Sequence, residues 1–109
     1  MHELSIANGI VEICAERAAD TRVIRVRVEI GRLSAVMPDA VRFCFEVCAR
    51  NTVVEGAALE IVETPGLALC RDCEREVLLE QLVGRCACGS TNLRIIAGEE
   101  LKIREMELA

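Results

Sequence analysis

Tryptophan and tyrosine are absent from this 109-residue chain, and its only aromatic side chains are Phe43 and Phe45. Its core must therefore be assembled from aliphatic residues and cysteine, which the 52% hydrophobic content can supply. Histidine occurs once, as His2, so no second imidazole is available as a general base. Neither a nucleophile-base pair nor a phosphate-binding loop is evident, and the expectation is a protein that is not an enzyme. No apolar run reaches membrane-spanning length, and His2, Glu3, Glu12, Glu16 and Arg17 interrupt any secretory h-region. This points to a cytoplasmic chain without membrane association. Positive charge is also in short supply: thirteen basic against eighteen acidic residues leave a net charge of −5, which argues against nucleic acid as a partner. No repeat or low-complexity tract is visible, and the length is that of one small domain.

Cysteine, by contrast, is plentiful. Four of the seven thiols lie in two close pairs, Cys70-Arg71-Asp72-Cys73 and Cys86-Ala87-Cys88, the latter followed by Gly89. Two tight turns carrying two thiols each make a tetrahedral site for a soft divalent metal, with zinc the default. The twelve residues between the pairs leave room for a short hairpin through Arg75-Glu76-Val77-Leu78-Leu79. The second pair is spaced C-x-C, one residue shorter than the usual knuckle, so its turn must be tighter. A disulfide pair would suit a secreted chain, and a thioredoxin-like site wants one C-x-x-C beside a strand-helix unit, not two pairs. Iron in a rubredoxin-like electron carrier is disfavoured by the scarcity of aromatics to shield it. The remaining thiols, Cys14, Cys44 and Cys48, fall in helix-like apolar surroundings, where buried free cysteine is expected.

Along the chain, Leu4, Ala7, Val11 and Cys14, with Ile6, Ile10, Ile13 and Arg17, fall at helical spacing and predict an amphipathic helix from residue 4 to about 19. Ile24, Val26, Val28 and Ile30 alternate with Arg25, Arg27 and Glu29, the period of a strand with one wet face, closed by Gly31. Pro38-Asp39 starts a second helix in which Val41, Cys44, Phe45 and Cys48 keep the rhythm through Ala49. Leu59 to Thr64 reads as a second strand, stopped by Pro65-Gly66 and leading into the metal loop. Beyond it, the runs at 93–97 and 101–104 flank Gly98-Glu99 in the manner of a hairpin. The expected fold is α+β: a small mixed sheet of about three strands with two helices, interrupted by a zinc-ribbon-like metal loop.

The amino terminus offers a second kind of metal site. Methionine removal is normally restricted to chains with a small second residue, so Met1 should remain and keep His2 one peptide bond from the α-amine. That amine, deprotonated backbone amides and the imidazole can lie in one plane around a square-planar ion, which means Ni(II) or Cu(II). Glu3 could add a carboxylate, although a first-turn Glu favouring the helix N-terminus is the simpler reading.

Met1-His2-Glu3, Gly31 after a basic-alternating strand, the C-x-x-C loop, Cys88-Gly89-Ser90 and Ile96-Ala97-Gly98-Glu99-Glu100-Leu101 together resemble the HypA/HybF family of hydrogenase-maturation nickel metallochaperones, along essentially the whole chain. The resemblance implies a nickel domain of sheet and two helices, residues 1–69 and 91–109, and an inserted zinc domain, residues 70–90. It implies Ni(II) as cargo at His2 and nearby backbone nitrogens, with Met1 and Glu3 as further candidate ligands, and structural Zn(II) at Cys70, Cys73, Cys86 and Cys88. The implied partners are a maturation GTPase and the large subunit of a [NiFe] hydrogenase. A homodimer, with the segment 91–108 exchanged between chains, stays open. In one respect the chain departs from the family, whose last cysteine pair is commonly C-P-x-C. Alignment on Cys88 puts Arg85 where a cysteine is expected, and Cys86 is its substitute. The competing readings are a zinc-stiffened protein-protein adaptor without metal transfer and a rubredoxin-like redox module.

Overall fold

A computed structural model describes residues 2–109. Two helices and six strands follow in the order α1 (Glu3–Ala18), β1 (Val23–Gly31), a 3-10 turn (Arg32–Ser34), α2 (Pro38–Ala49), β2 (Ala58–Thr64), β3 (Gly66–Cys70), β4 (Glu76–Leu79), β5 (Leu93–Ala97) and β6 (Leu101–Leu108). The fold is α+β, with two three-stranded sheets ordered β2-β1-β6 and β4-β3-β5. The chain divides into two compact units. One holds residues up to Glu29, Val36–Val62 and Lys102–Ala109; the other holds Ile30–Ala35 and Glu63–Leu101. The segment 70–90 expected as a zinc insertion lies inside the second unit, which extends past it on both sides.

In the first unit, α1 packs against α2. Helix α1 buries Ile6, Ala7, Ile10, Val11, Cys14 and Ala18, a stripe at helical spacing, while Leu4 and Ile13 fall on its exposed margins. Helix α2 begins with Pro38 in the first turn, where its missing N–H costs nothing, and buries Val41, Phe45 and Ala49. The expectation of buried thiols holds for Cys14 and not for Cys44 and Cys48, which are only half-buried. Each stands one position off the Val41-Phe45-Ala49 line and so turns toward the helix flank.

Strand β1 runs through the middle of its sheet and buries Val23, Val26, Val28 and Ile30. The predicted alternation slips at its start: Val23 is buried and Ile24 is 45% exposed, because the two-residue period begins only at Val26. The wet face carries a ladder of ion pairs. Arg25 meets Glu60 at 2.9 Å and Glu107 at 3.2 Å, Arg27 meets Glu105 at 3.1 Å, and Arg104 meets Glu29 at 3.0 Å. Exposed pairs of this kind add little to stability, and their main effect is to favour one register.

The second unit has its own small core of Leu33, Ala68 and Leu79, flanked by Val77, Leu93 and Ile95. Strand β3 is its axis, antiparallel to β4 through pairs such as Ala68↔Val77 and to β5 through pairs such as Leu69↔Arg94. The hairpin expected for 93–97 and 101–104 does not form: β5 pairs with β3, and β6 lies beside β1 in the other sheet. The reason is where the backbone groups of the connection go. Gly98 O accepts from Leu33 N–H at 2.7 Å and Glu100 O from Gly31 N–H at 2.8 Å. Both groups are thereby committed to residues 31–33 instead of bonding across a two-strand turn. Gly98 sits at φ +104°, and a Cβ there would come within 2.5 Å of Gly66 Cα, so only glycine fits.

Candidate metal centre

Strand β3 ends at Cys70, which delivers the first thiol to the start of a tight turn. In that turn Cys70 N–H donates to Arg75 O at 2.8 Å and Glu74 N–H to Cys70 O at 2.8 Å, with Glu74 in the left-handed conformation at φ +64°. The second turn repeats this with one residue removed. Cys86 N–H donates to Ser90 O at 2.9 Å, Gly89 N–H donates to Cys86 O at 2.9 Å, and Gly89 has φ +94°. In both turns the left-handed residue follows the second cysteine directly. The shortened C-x-C pair is thus a contracted copy of the C-x-x-C turn, and Gly89 fills without strain the place that Glu74 fills in the longer one.

The two turns bring four sulfurs together, all within 4.8 Å of one another. Cys70 Sγ lies 3.7 Å from Cys88 Sγ, and Cys73 Sγ lies 3.5 Å from Cys86 Sγ. A tetrahedral ion with sulfur at about 2.3 Å holds its ligands about 3.8 Å apart, so the spacing suits zinc. Backbone amides also point at sulfur. The N–H groups of Cys73 and then Asp72, with the neighbouring thiols, hold Cys70 down to about 6 against an ordinary 9.0. At Cys73 the Arg75 N–H pulls the same way, but burial and the sulfurs of Cys86, Cys70 and Cys88 prevail and push it up to about 12. Cys88 receives the Ser90 N–H, yet its neighbours Cys86 and Cys70 and its burial raise it. These surroundings thus lower one thiol and raise Cys73 and Cys88, a conflict that a cation sharing the negative charge would relieve.

A side-chain clamp that sequence reasoning missed joins the turns. Ser90 Oγ donates to Asp72 Oδ2 and accepts from Asn92 N–H at 3.0 Å, while Arg71 N–H donates to Asn92 O at 3.0 Å. Asp72 sits between the first two cysteines and Ser90 two residues after the last, a placement that no common motif marks.

At the other candidate site, His2 and Glu3 are in different surroundings. His2 is exposed and stands in extended conformation as the residue before α1, its O accepting from Ile6 N–H at 3.2 Å and its side chain making no capping bond. Met1 lies outside the described residues. Glu3 is engaged: its Oε2 accepts from Met37 N–H at 3.0 Å, and that bond, with Glu3's own N–H, lowers its pKa below the ordinary 4.5. Among the described residues the four cysteines are the only group of three or more ligating side chains close enough to share an ion.

Residues 1–108 match the family described as hydrogenase/urease nickel incorporation, metallochaperone, hypA. The chain belongs to the HypA family. It is similar to the hydrogenase maturation factor HypA of Trichormus variabilis, 56% identical over 108 residues, covering 99% of this chain and 96% of that one. With the HypA of Geobacter metallireducens the identity is 46% over 109 residues, 99% of each chain. The solution structure of the Ni metallochaperone HypA from Helicobacter pylori matches with TM-score 0.69 at 30% identity, covering 99% of this chain and 97% of that one. HypA proteins are thus nickel metallochaperones of hydrogenase maturation, as the resemblance implied, and this member carries a four-cysteine group fitted to a metal such as zinc. No helix among the described residues is long and apolar enough to cross a membrane.

Proposed function

We propose that this HypA-family chain carries Ni(II) at its amino terminus and hands it to the large subunit of a [NiFe] hydrogenase in the cytoplasm, together with a maturation GTPase. Zinc at Cys70, Cys73, Cys86 and Cys88 shapes the second unit. The observation that carries the proposal is His2, the chain's sole imidazole, exposed and uncapped at the foot of α1 in a member of a nickel-incorporation family. Transfer is ligand exchange and not bond-making on a substrate. An exposed imidazole together with terminal nitrogens can be displaced one at a time by a recipient's ligands, which a closed thiolate cage does not permit. Met1 contributes its α-amine. Glu3 Oε1 can serve as a ligand while Oε2 keeps its bond from Met37 N–H.

Titration of zinc-loaded protein with Ni(II), followed by calorimetry, tests this. His2→Ala, or a one-residue extension ahead of Met1, should abolish tight nickel binding while zinc content and fold are retained. Unchanged nickel affinity in both would overturn the proposal. It would favour the adaptor reading, to which the exposed Leu78, Leu82 and Val83 of the second unit also lend themselves.

A further inference from the structure

Three of the seven cysteines take no part in the four-sulfur group, and they are not alike. Cys14 is 1% exposed in the core, where burial raises its pKa. Cys44 and Cys48 are free, half-buried and four residues apart on α2, which is regular through both positions. Residues at this spacing share a helix face with Cβ atoms about 5–6 Å apart, so two sulfurs can approach one ion from either side. The sulfurs also sense each other: burial, then the charge of Cys44, raises the pKa of Cys48. Beside them Phe43, 69% exposed, and Val47, 40% exposed, form a parallel apolar stripe on the same helix.

We propose that Cys44 and Cys48 form a two-thiolate site for one soft monovalent d10 cation, Cu(I) being the type ion. Ligand number selects this class. Among the described residues no third histidine, cysteine or carboxylate joins the pair in a metal-sized group, so an ion that requires four ligands is undersupplied there. A soft cation content with two thiolates is not. Binding releases two thiol protons to solvent and forms two sulfur-metal bonds, with no change of oxidation state. The adjacent Phe43 and Val47 shield one side of the ion from water. The site is independent of both the nickel proposal and the zinc group.

The test is anaerobic titration of zinc-loaded protein with Cu(I) presented as its bicinchoninate complex, whose colour fades as copper leaves it. The titration is run on the natural chain and on His2→Ala, which removes any copper taken by the terminus. Both should withdraw one Cu(I) per chain with zinc retained. C44S/C48S, its fold verified by circular dichroism and zinc content, should not withdraw that equivalent, and Cys44→Ser alone should weaken uptake by at least tenfold. Equal uptake by C44S/C48S, ejection of zinc by the first equivalent, or one ion per two chains with a doubled mass would each overturn the proposal.

Discussion

The cysteine group and the amino terminus are built on opposite plans. At the first, four sulfurs within 4.8 Å are oriented by two hydrogen-bonded turns, backbone amides aimed at sulfur and an Asp72-Ser90 clamp. At the second, an exposed imidazole stands ahead of a helix that its side chain does not cap. Under the proposed function, the difference is what lets one short chain serve two metals. Affinity that contributes to folding comes from ligands fixed by surrounding structure, whereas affinity meant to be surrendered comes from ligands that the fold does not depend on.

The comparison breaks most visibly if the cysteine group is opened. Cys73→Ala, or chelation of zinc, removes metal-binding free energy of order 10 kcal/mol from a unit whose apolar core is only a few side chains. Amide resonances of 66–97 should lose dispersion, while those of the first unit around Val26 and Val41 stay sharp. Retention of dispersed signals in the second unit would mean that the metal is not what holds it. His2→Ala is the reciprocal change. It should weaken Ni(II) binding by at least about 100-fold, the upper end of what losing even an outer-shell partner costs. Because the side chain is exposed and uncapped, unfolding by urea should move by no more than about 0.5 kcal/mol.

How much of this was legible follows from which interactions are local. The grouping of four cysteines could be read from spacing, Cys86 included, because the side chains that meet are named in the sequence. That the C-x-C turn is a one-residue contraction of the C-x-x-C turn could not, since its defining bonds, Cys86 N–H to Ser90 O and Gly89 N–H to Cys86 O, are backbone groups that every sequence has. Both helices were marked by period and by Pro38. The hairpin expected at Gly98-Glu99 failed because turn chemistry is local while strand pairing is a choice among distant partners, and β3 and β1 competed successfully for β5 and β6. Cys44 and Cys48 were expected in the core because an apolar rhythm of i, i+3, i+4 does not distinguish the middle of a helix face from its flank. The proposed terminal nickel site was approached through His2, the α-amine that Met1 would keep beside it, and a family likeness, for backbone nitrogens leave no mark in a sequence.

A third change asks whether zinc alone gives the second unit its form. At Gly31 an added Cβ would lie 2.0 Å from Gly98 O and 2.2 Å from its carbonyl carbon, a backbone contact that no side-chain rotation relieves. Gly31→Ala should therefore destabilise the zinc-loaded protein by about 2–4 kcal/mol, measured by urea denaturation. The structure around 31–33 and 98–100 would have to open to admit the methyl group. A loss under about 0.5 kcal/mol would show that the zinc site carries the unit regardless of how its glycines pack.

The smallest effect separates the two roles of the amino terminus. Glu3 is adjacent to the proposed nickel ligand, yet its carboxylate is engaged by Met37 N–H just ahead of α2, which holds its pKa below the ordinary 4.5. A carboxylate whose folded-state pKa is depressed contributes stability that is fully present above its unfolded-state value and is lost as pH falls through the folded-state one. The Met37 amide resonance should therefore titrate with a midpoint below 4.5, and Glu3→Gln should abolish that titration. If Glu3 only tethers the start of α1 to the start of α2, the same variant will bind Ni(II) as the natural chain does at neutral pH. A fall in nickel affinity comparable to that of His2→Ala would instead make the carboxylate a ligand through Oε1, the oxygen that the Met37 bond leaves available.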